Sequence, residues 1–136
     1  MFKKLTENFR PNTGAAMFFT SILLWGVAFG CFSAVLNNYL ADVRSINAFE
    51  RGVLEFFREM PGLLLVFIIA LMHRFSDWKI LKIGTLIAMV GIAGLLFTAD
   101  KLLITALIMI WSTGEHIMMP VRSSITMRIA QDGKLG

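Results

Sequence analysis

From Pro11 to Ala41 the chain reads PNTGAAMFFTSILLWGVAFGCFSAVLNNYLA, with no charged side chain between Arg10 and Asp42. An α-helix crosses the hydrocarbon core of a bilayer with about 20 apolar residues, so this stretch is long enough to span one. Three further apolar stretches follow, from about Gly52 to Met72, from Ile83 to Ala99 and from Leu102 to about Val121, each near the minimum spanning length. The expected fold is an all-α membrane protein with four transmembrane helices, at about residues 13–40, 48–72, 79–98 and 101–130 of one transmembrane domain covering 1–136.

The composition agrees. Of 136 residues, 57% are hydrophobic and only 16% charged, with mean hydropathy +0.72, more apolar surface than a water-soluble core of this size can bury. A lipid bilayer is therefore the expected surrounding, and a cell membrane crossed several times the expected location. The net charge of +4 does not point to nucleic acid, because the basic residues flank the apolar spans instead of clustering with aromatics. Cys31 is the single cysteine, which excludes an internal disulfide. Lys3, Lys4 and Arg10 resemble the charged start of a signal peptide, but the uncharged stretch far exceeds an apolar signal segment of about 7 to 15 residues. The first span reads as a retained helix.

Charge asymmetry orients the spans. Lys3, Lys4, Arg10, Arg74, Lys79, Lys82, Arg128 and Lys134 fall on one side, and Arg44, Arg51 and Lys101 on the other, which makes both termini cytoplasmic. Asn47-Ala48-Phe49-Glu50 has the form of a capping box opening the second helix. Ser76 or Asp77 is placed to cap the third helix, and Thr98 or Asp100 the fourth.

The spans differ in what they carry. The first places Gly26, Gly30, Ser33 and Asn37 on one stripe, and Gly26 and Gly30 form a GxxxG pair suited to close helix packing. The third has Gly84, Ala88, Gly91, Gly94 and Thr98 at similar spacing and no charge, and reads as a packing helix. In the second, Arg51, Glu55, Arg58 and Glu59 have the spacing of ion pairs within one helix. Only Met60 to Met72 is uncharged there, about 20 Å of helix, which puts the charges in the outer third of the membrane. A structural salt-bridge cluster and a gating or substrate role fit this pattern equally. Pro61-Gly62 directly after it is a place for a kink.

The fourth span is the most polar. Thr105, Ser112, Glu115, Met119, Arg122 and Thr126 share a stripe expected to face the bundle interior. Desolvating an ionisable side chain in a bilayer costs roughly 3 kcal/mol or more, so Glu115 is the leading candidate for coupling or substrate binding. Glu115 and Arg122 are about 10 Å apart along the axis, which argues for separate partners. His116 points about a third of a turn away from Glu115, and either group is suited to accept a proton. For His116 a structural hydrogen bond to a neighbouring helix is the plainer reading. Pro120 releases the carbonyl of His116 and is expected to bend the helix.

Between the second and third spans the chain reads Leu71-Met72-His73-Arg74-Phe75-Ser76-Asp77-Trp78-Lys79-Ile80-Leu81-Lys82-Ile83-Gly84. This resembles the cytoplasmic signature of the major facilitator superfamily, roughly G-x-L-A-D-R-x-G-R-R-K before an apolar run and a glycine. Leu71, Arg74, Lys79 and Gly84 match; Ile69, His73, Ser76 and Asp77 stand where the family has Gly, Asp, Gly and a basic residue. The resemblance implies four helices of a six-helix half, with helices one and four lining a central cavity. It also implies alternating-access transport of a small solute, with Glu115 as a coupling or substrate-binding candidate; by their place in the spans, His116, Arg122, Arg58 and Glu55 are further candidates for substrate or proton coupling. Six-helix halves in this family consist of inverted three-helix repeats, so the chain reads as an incomplete N-terminal half whose partner is the remainder of the transporter.

Two other functions compete. One is a four-helix small multidrug exporter acting as a dimer, although that family's carboxylate lies in its first helix, where this chain has none. The other is a non-transporting membrane scaffold. With no metal-ligand spacing, phosphate-binding glycine loop or nucleophile beside a base, neither an enzyme nor a bound metal or other cofactor is expected.

Overall fold

The computed structural model describes residues 13–132. Lys3, Lys4, Arg10 and Lys134, which carry part of the orientation argument, lie outside the described residues. Helix accounts for 90% of the described residues and no strand occurs among them, so the all-α class holds. Helix α1 covers Thr13–Asn38 and ends in a π-helical turn, Tyr39–Val43. Helices α2 (Ala48–Leu63) and α3 (Leu65–Met72) follow, then α4 (Asp77–Gly94) with a closing 3₁₀ turn at Leu95–Phe97, and finally α5 (Lys101–Asp132).

Three segments are long and apolar enough to cross a membrane: Thr13–Val43, Asp77–Phe97 and Lys101–Ala130. The second expected span departs from this pattern. It is divided at Leu64 into α2, which carries Arg51, Glu55, Arg58 and Glu59, and a short apolar α3. Pro61 has no amide to donate to the preceding turn, and three residues later the helix breaks and restarts. Leu64 still donates to the Met60 carbonyl at 3.2 Å, and its own carbonyl accepts from Phe67 and Ile68 at 3.0 and 3.1 Å. Helix α5, by contrast, continues through Pro120 without interruption.

The chain divides into two compact units, Met1–Val43 and Arg44–Gly136. In the first, Met17, Leu23, Leu24, Val27 and Val35 of α1 are exposed, a surface that lipid tails match and water does not. A methyl group added at Gly26 or Gly30 meets nothing within 4 Å.

The second unit is organised by α4 lying along α5, its most extensive helix contact. Ile80, Gly84, Ala88 and Gly91 form the buried stripe of α4, at spacings of four, four and three. Facing them are Leu107, Trp111, Gly114 and Met118 of α5. A Cβ at Gly91 would lie 2.7 Å from the Leu107 carbonyl oxygen and against the Trp111 amide nitrogen. One at Gly114 would lie 2.6 Å from the Ala88 nitrogen and against the Gly84 carbonyl. Lacking an apolar-to-water driving force in lipid, membrane helices associate through such close packing, which only small residues permit.

Both ends of α5 are tied to other elements. Asp100 accepts from the Leu103 amide at 2.8 Å and caps the helix. The capping box forms: Asn47 Oδ1 accepts from the Glu50 amide, and Glu50 Oε2 from the Asn47 amide, both at 2.9 Å. Lys101 Nζ then donates to both Glu50 carboxylate oxygens at 2.8 Å and to the Ser45 carbonyl at 3.2 Å. Ser45 adopts a left-handed backbone, φ 51°, an uncommon conformation outside glycine, at the turn this lysine holds. At the far end, Asp77 at the start of α4 accepts from Arg128 at 3.0 Å and from Ser124 at 3.2 Å.

Replacing Gly91 by Ala forces backbone apart on both sides and is expected to cost about 1–3 kcal/mol by overpacking, as is Gly114→Ala. Gly52→Ala, whose Cβ meets nothing within 4 Å, is expected to be neutral or slightly stabilising. Thermal unfolding of the three variants in detergent checks the contrast.

Candidate functional site

Gly114, Glu115 and His116 follow one another on α5, so their side-chain positions are about 100° apart and face three directions. Gly114 abuts α4, His116 meets α2, and Glu115 meets Arg122 on its own helix. Each direction has its own chemistry.

On the α2 side, the charges form a chain along the helix. Arg51 pairs with Glu55 at 2.6 Å, Glu55 with Arg58 at 2.5 Å, and Arg58 with Glu59 at 2.7 Å. Alternating signs at these separations hold each charge beside an opposite one, which lowers the cost of removing it from water. From α5, the Ser112 hydroxyl donates to the Arg58 carbonyl at 2.5 Å. The His116 ring lies with Nδ1 at 2.9 Å from the Ser112 carbonyl oxygen and 3.1 Å from its hydroxyl oxygen, and with Nε2 at 3.8 Å from Glu59 Oε2. Gly62 makes room for that ring: a Cβ there would sit 2.7 Å from Nε2.

This cluster can be placed along α5. His116 is 15 residues from Lys101 and 12 from Arg128, roughly midway between the two tied ends of α5, which are about 40 Å apart along the axis. Arg58 and Glu59, which touch Ser112 and His116, are therefore level with the middle of α5.

On the third face, Glu115 is buried at 6% exposure, and its carboxylate is 3.8 Å from Arg122 Nη1. The 10 Å axial gap argued against this contact. Side chains on an α-helix lean toward its N-terminus, and the long Arg122 chain reaches back two turns to the carboxylate. Arg122 also donates to Met118 Sδ at 3.4 Å, and Thr85 Oγ1 of α4 donates to the same sulfur at 3.2 Å. Met119, assigned by spacing to the interior stripe, is instead exposed, and Met118 is fully buried.

Arg74 and Lys79 are exposed and form no ion pair among the described residues, whereas Gly84 is buried against Met118 and Gly114. The charge contact at this end belongs to Asp77, with Arg128 and Ser124. Sequence spacing missed it because 47 or more residues separate the partners; an acidic residue in the first turn of a helix was the available signal. Gly91 and Gly94 lie against α5, and Gly94 meets the Leu107 side chain.

Gly62→Ala is expected to displace the His116 ring and lower the unfolding midpoint in detergent, with Gly52→Ala as the unaffected reference. At the outer end, the Lys101 ammonium, and next the Asn47 amide, hold the Glu50 carboxyl below its ordinary value of 4.5. The folded chain thus binds this proton more weakly than the unfolded one, and the stabilisation is complete above that value and lost as pH falls through the lower folded one. Thermal midpoints of the wild type and Glu50→Gln, compared across pH, should converge only in acid. No known protein family, curated protein or solved structure matches the chain.

Proposed function

We propose that this chain is part of a secondary active transporter that moves a small solute across a cell membrane by alternating access, with major-facilitator-like architecture. Four crossings, the α2–α3 pair supplying one of them, and cytoplasmic termini belong to this reading, with further helices completing the solute pathway. The observation that supports it is Glu115, a carboxylate buried in the middle of a membrane-length helix with an arginine 3.8 Å away. Such a group is costly to bury, and a transport role gives a use for it. Protonation of the carboxylate frees Arg122 for an anionic solute, and solute binding to Arg122 frees the carboxylate for a proton. The two-piece second span adds support, because broken helices in membranes occur where backbone lines a cavity or is covered by protein.

Protein reconstituted in its full-length context into vesicles containing a pH-sensitive dye is challenged with a panel of sugars, organic acids and peptides. A solute that drives proton flux in wild-type vesicles should produce none in Glu115→Gln vesicles, which keep the shape of the side chain without its charge. Equal flux in both removes Glu115 from the mechanism.

A further inference from the structure

We propose that Nε2 of His116 is a proton-binding site at the interface of α2 and α5, with Glu59 as its counter-ion and Ser112 as the group that fixes which ring nitrogen receives the proton. The argument begins with hydrogen count. Ser112 has a single hydroxyl hydrogen, and it is donated to the Arg58 carbonyl at 2.5 Å. Toward His116, Ser112 therefore offers only acceptors, its carbonyl oxygen at 2.9 Å and its hydroxyl oxygen at 3.1 Å from Nδ1. Nδ1 must carry the ring hydrogen. The neutral ring then turns an unprotonated Nε2 toward Glu59 Oε2.

Two acceptors face each other there, 3.8 Å apart, with no hydrogen between them. Protonation forms an Nε2–H bond and makes the ring cationic, so the contact changes from repulsive to attractive without altering any other bond in the cluster. The proton comes from hydronium reaching the exposed side of the cluster, where the Glu59 side chain is 57% exposed and the imidazole 18%. Glu59 remains a carboxylate, shared by Arg58 at 2.7 Å and the imidazolium.

The charges around the ring are few. From α2 they are Glu59, Arg58 beside it, and Glu55 and Arg51 further along the same chain of pairs. On α5 the neighbouring Glu115 is engaged by Arg122 on another face. Helix α4 has no titratable side chain between Lys82 and its end at Gly94. Pairing with Glu59 therefore dominates, and a proton taken up here draws α2 onto α5 just above the break at Leu64. Gly62, against the ring, leaves Nε2 the space to accept it.

The site holds whether or not the chain carries a solute, so its test uses none. The chain contains two histidines, and His73→Gln leaves His116 as the only imidazole for nitrogen NMR of labelled protein in lipid bilayers. At alkaline pH the protonated nitrogen should be Nδ1, and Ser112→Ala should admit the Nε2–H form. Glu59→Gln should move the titration midpoint to lower pH by roughly one unit, about a tenfold loss of proton affinity. A neutral ring protonated on Nε2 in the protein with Ser112 and Glu59 intact overturns the proposal, as does a midpoint that Glu59→Gln leaves unmoved.

Discussion

The backbones of α4 and α5 approach so closely at Gly84, Gly91 and Gly114 that no side chain fits between them, and the second unit depends on that contact. Such an approach admits one rotation of α5 about its axis. Turning α5 by one residue would bring Glu115 or Thr113 to the place of Gly114, against the Gly84 carbonyl. With the rotation fixed, the other faces of α5 have no freedom left: Ser112 and His116 meet α2, and Glu115 and Arg122 share the remaining direction. Packing between apolar surfaces has thereby decided where the polar chemistry lies.

The charges are tolerable because they are grouped. A lone arginine or glutamate within a bilayer is costly, and removing one partner of a buried pair leaves the other uncompensated. In α2 the alternation of signs gives Arg51, Glu55, Arg58 and Glu59 each an opposite charge within 2.7 Å. Glu115 lies 3.8 Å from a guanidinium that also reaches a methionine sulfur.

Much of the fold was legible as periodicity. The α4 stripe of small residues, the capping box at Asn47, the cap at Asp100 and the ion pairs of α2 are all relations within four residues on one helix, so sequence spacing contains them. The misreadings share a different cause. The separation of Glu115 from Arg122 was judged along the axis, which ignores the backward lean of a long side chain. Met119 was placed by an ideal stripe that the packing at Gly114 rotates slightly away, burying Met118 in its stead.

The amino-acid sequence by itself determined that this chain is helical and apolar enough for a bilayer, because hydropathy and period are local properties. It also determined which ionisable residues are out of place there. Only the tertiary structure decided how those residues combine: His116 with Ser112 and Glu59, Glu115 with Arg122, Lys101 with Glu50, and Asp77 with Arg128. Three of these four sets join residues on different helices, about 50 positions apart, and the fourth needs a side chain to reach across two turns. No local pattern encodes such pairings, since they follow from the rotation and height at which the helices settle against one another.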